Sequence, residues 1–566
     1  MGLLSRFRAS PLGEIVRAPM RRELRRFLDS CSDCRAHQHR VLRELIALNG
    51  DSEFAIDRGL HTVKTPADLR RRLPVTRYDD YAAGIERMKA GRPRALLGSG
   101  NRLLMFSLSS GTTSGSKFIP ITDRFLKDYR RGWQIWGIRT FDEHPAMNAR
   151  NIVQLTSSHD RFRSSGGTPC GNISGLVAAM QKRVVKAMYT VPAAIAKIAD
   201  PEAKNYATLR LALADGNVGL VMTANPSTLI HLARLADRRR EELIRDIADG
   251  TLAMQSELPA DALAALRRRI GRKDRRRAGE LDRIAERTGS LLPKDYWPLA
   301  ELVAVWTGGS AGAYLQSLRK YYGDIPVRDH GLSASEGRMT IPVEDGAAAG
   351  ILDVTTHYFE FIPEEEYENE HPTVLEAHEL EEGRNYFILL TTSSGFYRYD
   401  ICDVVRCTGF HGSTPMLEFL HKGAHISNIT GEKISESQVV AAVSACLREL
   451  QIELRHFTVT PVWSDPPYYQ ILAEQRDFAA TGSSEQFVRQ VDARLQEINC
   501  EYRDKRQSGR LEAMTFLPLP DGAWRQFTRQ RQQTLGGSLE QYKHPCLVPD
   551  LKFGEQFLRQ FVESAA

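Results

Sequence analysis

Apolar positions along this chain change period several times, and the changes mark out its elements. Val41, Leu42, Leu45 and Leu48 recur at helical spacing and Asn49-Gly50 suits a helix end, so residues 20–50 are predicted helical. At Leu103-Leu-Met-Phe106 the pattern becomes a short continuous apolar run, as in a buried strand, which breaks into Ser107-Leu-Ser-Ser-Gly-Thr-Thr-Ser-Gly-Ser-Lys117. Thr122-Asp123 then offers a helix N-cap, and Phe125, Leu126, Tyr129, Trp133 and Trp136 follow on one helix face. Short apolar runs at Ile152–Leu155, Val218–Met222 and Leu302–Trp306 alternate with helical patterns, one of them after Asn225-Pro226 and another at Tyr314–Tyr321. Strand alternating with helix predicts an α/β domain with a mainly parallel sheet.

Further on, Val327–Glu336 reads as a strand passing into small residues, Tyr386–Thr392 as β, and Phe396–Phe410 as a longer extended stretch. Met416–Leu420 is the last apolar run before His421-Lys-Gly-Ala424, where a hinge is expected. Beyond it Ser435-Glu-Ser-Gln438 has capping-box spacing ahead of Val440, Val443, Leu447 and Leu450 on one helix face. Strands at Phe457–Val462 and Tyr469–Leu472, a helix with Val488, Val491, Leu495 and Ile498, and a strand around Met514–Leu517 complete a compact α+β pattern. The predicted fold class is α/β. A large N-terminal domain over residues 1–420 carries mainly parallel sheets with β-structure near the hinge, and a small, mobile α+β domain covers 425–566.

Composition narrows the classes. A chain of 566 residues with 42% hydrophobic and 26% charged residues is of the soluble globular kind. Its net charge of +6 arises from 76 basic against 70 acidic residues, which argues for a mixed surface and against a nucleic-acid partner. The arginine-rich stretch 237–287 interleaves acids and lacks the aromatics of a single-strand binder, so it reads as exposed helices. Eight scattered cysteines do not form a disulfide framework, and Cys31-Ser-Asp-Cys34 with His37 and His39 lacks the second cysteine pair of a common zinc site. Met1-Gly-Leu-Leu-Ser-Arg6 has neither the apolar stretch of a signal peptide nor the Ser or Thr that myristoylation needs at position 6. A cytoplasmic protein without membrane contact, monomeric by default, is expected.

The chemistry concentrates at strand ends. Ser109 to Ser116 presents hydroxyl donors, with Gly111 and Gly115 freeing backbone N–H groups to turn toward an anion and Lys117 adding a positive charge. This is not a Walker loop, because its glycines enclose three residues and Phe118 follows the lysine. Thr307-Gly-Gly-Ser-Ala-Gly312 closes a strand with glycines that let a flat ligand approach, and Glu336 is a lone carboxylate after another strand.

Ser109-Ser-Gly-Thr-Thr-Ser-Gly115 with Lys117 and Ile119-Pro120 resembles the ATP loop of the adenylate-forming superfamily and, more narrowly, that of the auxin-responsive (Gretchen Hagen) acyl acid amido synthetases. Further motifs follow in the family's order. The turn at Gly309 and Ser310 stands where the superfamily packs on adenine. Ser335-Glu336 is similar to the end of the Tyr-Gly-x-Thr-Glu motif, with Leu332 in place of the stacking aromatic. Phe396-Tyr397-Arg-Tyr-Asp-Ile-Cys402-Asp403-Val resembles Leu-Tyr-Arg-Tyr-x-x-Gly-Asp-Val, with Cys402 in place of glycine, and Gln541-Tyr-Lys543-His-Pro545 resembles the terminal Asn-Gln-Tyr-Lys-x-Pro.

The resemblance implies nucleotide contacts from Ser109, Ser110, Gly111, Thr112 and Thr113 in the loop. It implies others from Gly309, Ser310, Ser335, Glu336, Tyr397 and Asp403, the last chelating the ribose hydroxyls. Glu336 would hold Mg²⁺. Catalytic roles fall to Thr112 and Lys543, with Lys433 a second candidate for the lysine, and helices near the aromatic stripe of 125–136 would wall the acyl site. The implied reaction uses ATP to adenylate a carboxylic acid and passes the acyl group to an amine of the amino acid class. Alternatives are transfer to coenzyme A and a nucleotide-binding protein without turnover.

Overall fold

The stretch 20–50 is two helices, Pro11–Ser30 and Cys34–Asn49, rather than one. Asp33 ends the continuity, because its carboxylate accepts the Ala36 N–H at 3.0 Å and caps the second helix. Val41, Leu42 and Leu45 nevertheless face the interior, as their period requires. The structure is a computed structural model that describes residues 8, 10–110, 116–155, 157–181, 183–423, 426–452, 454, 456–478, 484–527 and 544–561. Contacts gather the chain into two compact units, one built from Met1–Ser109 and Lys117–His421 and the other including Lys422–Ala566.

In the larger unit, strands β1 (Leu103–Ser110) and β2 (Ser116–Thr122) share a four-stranded sheet in which β1 pairs in parallel with Pro169–Gly171. Thr122 accepts the Phe125 N–H and starts helix α1 (Asp123–Glu143), whose Phe125, Leu126 and Trp136 are buried. A second sheet, in the order β3 (Asn151–Gln154), β4 (Val218–Met222), β5 (Leu302–Ala304) and β6 (Val327–Arg328), is parallel throughout. Every residue of β4 and β5 is buried, as expected where helices cover both faces. The hairpin β7 (Ser333–Ala334) and β8 (Gly337–Arg338) follows, with Ser335-Glu336 at its turn.

The remaining strands are β9 (Thr340–Ile341), β10 (Gly350–Leu352), β11 (Tyr358–Pro363), β12 (Leu375–Glu376), β13 (Asn385–Thr391), β14 (Tyr399–His411) and β15 (Thr414–Lys422). They form one seven-stranded sheet in the order β9-β10-β15-β14-β13-β11-β12. The β9–β10, β10–β15, β11–β12, β11–β13 and β13–β14 pairs are antiparallel. The expectation of mainly parallel sheets is therefore corrected: it describes β3–β6, whereas the largest sheet is antiparallel. Links of 392–398 and 412–413 between successive strands leave no room for the crossover that parallel pairing needs.

In the smaller unit a short antiparallel pair, Ile426–Ser427 with Ile434–Ser435, leads into a helix, Glu436–Leu450, capped reciprocally by Ser435 and Gln438. Its sheet runs β16 (Phe457–Val462), β17 (Tyr468–Glu474), β18 (Thr515–Leu519), antiparallel then parallel. Leu472, Leu519, Trp524, Phe557 and Phe561 form one of its apolar clusters. Arginines in the 237–287 stretch include one structural element hidden from a sequence reading: Arg277 is buried and donates to the carbonyls of Leu213 and Tyr296 at 2.9 and 2.7 Å.

Candidate active site

Two parallel strands end side by side and their turns are tied together. After β5 comes Thr307-Gly-Gly309 and after β6 comes Asp329-His-Gly331. The buried Asp329 carboxylate accepts the Thr307 N–H at 2.5 Å, the Thr307 hydroxyl at 2.9 Å and the Gly331 N–H at 2.6 Å. Burial pushes its pKa up and these donors pull it down. Helix α1 is pinned to the same place, with Trp136 Nε1 donating to the Asp329 carbonyl at 2.8 Å. The glycine turn has a packing role beyond ligand approach. Gly309 has φ of 58°, and a Cβ there would lie 2.6 Å from the Leu420 carbonyl oxygen and 3.0 Å from the Phe419 ring.

The turn of the β7–β8 hairpin joins this platform to β1. Ser107 in β1 is buried and its hydroxyl donates to the Ser335 hydroxyl at 3.2 Å. Next to it Glu336 is only 6% exposed, yet no described residue donates a hydrogen bond to its carboxylate or forms an ion pair with it. Its neighbours are phenols. Burial and the Glu336 charge both raise the Tyr399 pKa, and the Tyr78 hydroxyl is pushed up to about 12 mainly by burial, against the Phe118 N–H it accepts at 2.8 Å. A carboxylate on a largely enclosed residue that takes no hydrogen bond from the described residues fits a hard cation that completes its shell with phosphate oxygens.

Asp403 lies on β14, buried, beside a bulge. Leu389 pairs with Asp400 while Phe387 pairs with Val404, so Ile388 faces the three residues 401–403. Cys402 sits in the bulge with φ of 58°, a left-handed conformation that favours glycine. Asp400 stabilises it by accepting the Cys402 N–H at 2.7 Å and the Tyr367 hydroxyl at 2.6 Å. Cys402 therefore holds a backbone conformation that favours glycine, with strain as the consequence.

Tyr397 is placed in the interior: its ring is fully buried and parallel to that of Phe54 at 6.2 Å between centroids. Burial raises its pKa. The backbone around it is clamped by Thr76 and Tyr81, whose hydroxyls donate to its carbonyl at 2.7 and 2.9 Å. Arg398, also buried, donates to Glu360 at 2.9 Å and to the Leu73 carbonyl at 2.6 Å, and Arg70 holds the other Glu360 oxygen at 2.8 Å. Arg398 and Glu360 escaped the sequence reading, although a single acid inside the apolar run Tyr358-Phe-Glu-Phe-Ile362 is a signal for a buried partner.

A small cavity opens between α1 and the hairpin, lined among others by Tyr129, Asp128, Arg338, Asp353 and His357. Burial pushes Asp128 up to about 6 despite Arg124 at 2.8 Å, His357 down to about 4 and Arg338 down to about 10. Helix α1 passes so close that a Cβ on Gly132 would lie 2.7 Å from Cδ of Arg338.

Of the residues singled out from sequence, Gly309 stands on one of the two tied turns, Ser335 and Glu336 stand at the β7–β8 hairpin turn of the same unit, and Asp403 stands on the bulged strand of its largest sheet. Ser109 and Ser110 end β1, and Ser310 lies in the 3₁₀ turn Gly309–Tyr314. Gly111, Thr112, Thr113 and Lys543 lie outside the described residues. Lys433 follows Glu432, a buried carboxylate that accepts the backbone N–H groups of Ile429 and Thr430, each at 2.7 Å.

The fold and these turns define a two-unit α/β protein with the architecture of the acyl-activating ligases. A 2-hydroxyisobutyryl-CoA ligase superposes with a TM-score of 0.50 at 14% identity, over 94% of this chain and 92% of that one. A GH3.15 acyl acid amido synthetase in complex with 2,4-DB superposes with a TM-score of 0.65 at 20% identity, over 96% of each chain. Residues 23–327, 350–422 and 437–552 match the GH3 family N-terminal, central and C-terminal domains. The chain belongs to the GH3 family. It is 26% identical to the jasmonoyl–L-amino acid synthetase JAR6 of Nicotiana attenuata over 92% of this chain and 93% of that protein. It is also 26% identical to the indole-3-acetic acid-amido synthetase GH3.10 of Arabidopsis thaliana over 90% and 91%.

Proposed function

We infer that this protein is an ATP-dependent acyl acid amido synthetase that joins a carboxylic acid to an amino acid. The observation that carries the reading is Glu336, a largely enclosed acid at the hairpin turn whose carboxylate accepts no hydrogen bond from the described residues, next to the Ser107–Ser335 contact. Glu336 would hold Mg²⁺, whose charge would offset that of the triphosphate. The acid is already ionised at neutral pH, so the first half-reaction needs alignment and charge stabilisation more than a base. A carboxylate oxygen attacks the α-phosphorus of ATP, the bond to the bridging oxygen breaks, and pyrophosphate leaves. In the second half the amine nitrogen attacks the acyl carbon, AMP departs with the electrons of the C–O bond, and a proton leaves the nitrogen.

The residues present support these steps by position. The tied turns at Thr307–Gly309 and Asp329–Gly331 would serve as a rigid platform for the base, and Asp403, beside the bulge at Cys402, would accept the paired ribose hydroxyls. Tyr397 belongs behind that bulge, as a packing residue. Ser109–Thr113 would receive the phosphates, and Lys543 would meet the charge that develops at the α-phosphate. Pyrophosphate release with ATP and Mg²⁺ across a panel of aryl, indole and fatty acids, with and without pooled amino acids, tests the reading. Acid-dependent release with an amide product is expected. Formation of a thioester with coenzyme A and no amide would overturn it, as would silence across the panel with ATP binding intact.

A further inference from the structure

Two exposed features that the candidate site leaves unused converge on one edge of the parallel sheet β3–β6. The first is a stripe on the helix Pro11–Ser30. Leu12, Ile15 and Val16 are 60%, 68% and 57% exposed at helical spacing, while Leu24 and Phe27 pack inward, so the start of this helix presents an aliphatic face to solvent. Exposed Arg22 and Arg26 continue that face. The second is the turn between the helices Ala260–Ile270 and Arg275–Thr288. Arg267, Arg268, Arg272, Lys273, Arg275 and Arg276 are exposed there, and no described carboxylate pairs with any of them. The acid among them, Asp274, is occupied in capping the second helix, its carboxylate accepting the Arg277 N–H at 3.0 Å. The first turn of that helix holds arginines and no acid, so they oppose the helix dipole and do not serve the stability of the fold.

A chain of hydrogen bonds fixes the two features side by side. Arg8, just before Leu12, donates to Asn151 Oδ1 at the start of β3 at 3.2 Å, and Asn151 donates to the Asp215 carboxylate at 2.8 Å. The Thr190 hydroxyl donates to the same Asp215 oxygen at 2.9 Å, and Arg269 donates to the Thr190 carbonyl at 2.7 Å. These contacts gather at the N-terminal ends of β3 and β4, whereas the tied turns at Thr307 and Asp329 follow the C-terminal ends of β5 and β6. Independently of the synthetase reading, we propose that this edge docks on an anionic lipid surface, the aliphatic stripe entering the interface and the arginine turn meeting the headgroups. No helix among the described residues is long and apolar enough to cross a membrane, so the contact is peripheral. The aliphatic stripe favours lipid over nucleic acid: Leu12, Ile15 and Val16 gain nothing from a phosphate backbone but leave water at the acyl boundary. Unpaired cations beside them meet the negative surface potential without breaking any ion pair of the fold. The chain-wide balance of 76 basic and 70 acidic residues conceals this local excess, which is why the sequence suggested no membrane contact.

Co-sedimentation of the full chain with phosphatidylcholine vesicles, with and without phosphatidylserine, tests the proposal, alongside binding to a fluorescent DNA duplex. The wild type is expected to sediment with the anionic vesicles at low salt, not with the neutral ones, and to be released at high salt. Each cation at an anionic surface is worth about 5-fold in partitioning, so Arg268→Gln, Arg272→Gln, Arg275→Gln and Arg276→Gln together should weaken vesicle binding at least about 100-fold. Combined Leu12→Ser, Ile15→Ser and Val16→Ser should weaken it about 10-fold or more and leave any duplex binding unchanged. All these positions are exposed, and the melting temperature of each variant checks that it folds. Failure of the wild type to bind anionic vesicles at low salt would overturn the proposal, as would full vesicle binding by either combined variant. Binding to the duplex tighter than to vesicles and insensitive to the aliphatic substitutions would also overturn it and assign the arginine turn to nucleic acid.

Discussion

Replacing Glu336 by Gln separates a functional carboxylate from a structural one, because the two roles predict opposite signs of stability change. Glu336 is 6% exposed and its carboxylate receives no hydrogen bond from the described residues, so conversion to an amide breaks no protein contact while removing a charge from a largely enclosed position. An unsatisfied buried group costs about 1–3 kcal/mol, more when charged, and a neutral amide of the same shape removes much of that. The larger unit has roughly 400 residues, so its unfolding entropy is about 0.9 kcal/mol/K and the gain corresponds to about 1–3 °C in Tm. Glu336→Gln should therefore melt higher than wild type in EDTA. Under Mg²⁺ and ATP at about 100 times Kd, ligand linkage should raise the wild-type Tm by about 3 °C and the variant far less. Acid-dependent pyrophosphate release should fall at least about 100-fold. Differential scanning fluorimetry with and without EDTA reads the first two effects. A variant that melts lower in EDTA, or keeps the full shift with Mg²⁺ and ATP, would refute the reasoning and make Glu336 a structural acid.

Three other outcomes follow from particular contacts. Glu360→Leu should destabilise the larger unit by about 3–5 kcal/mol, and more than Arg398→Met, because Glu360 serves two arginines while Arg398 leaves Glu360 still paired with Arg70; denaturant unfolding should show the order, and a reversed one would discredit the buried triad. Cys402→Gly should gain about 0.5–1 kcal/mol at its left-handed position and Cys402→Val should lose about as much or more, so equal stability of the two variants would contradict the strained bulge. Lys543→Ala should slow single-turnover adenylation by at least about 100-fold while ATP affinity stays near wild type, and matching losses in both would make the lysine a binding residue.

Sequence alone went far with elements whose cause is local. The capping box at Ser435 and Gln438, the N-cap at Thr122, and the strands at Val218–Met222 and Phe457–Val462 depend on neighbours within a few residues, so their period and punctuation identify them. The motif order pointed to the family for a similar reason: loops that approach a nucleotide must place glycines, hydroxyls and acids at set intervals. What sequence could not reach depended on residues brought from afar. Asp329 looks like any acid after a strand until the fold closes it on Thr307, 22 positions away. Glu360 and Arg398 read as a strand acid and a motif arginine, and they become a buried pair only when β11 and β13 align beneath the Tyr397 turn. The antiparallel course of the large sheet was missed because strand propensity carries no direction; short links and pairing partners decide it. Arg338 is the clearest case. In the sequence it is one arginine among many, and only the packing of α1 against the hairpin removes its solvent and lays its guanidinium over the Trp133 ring.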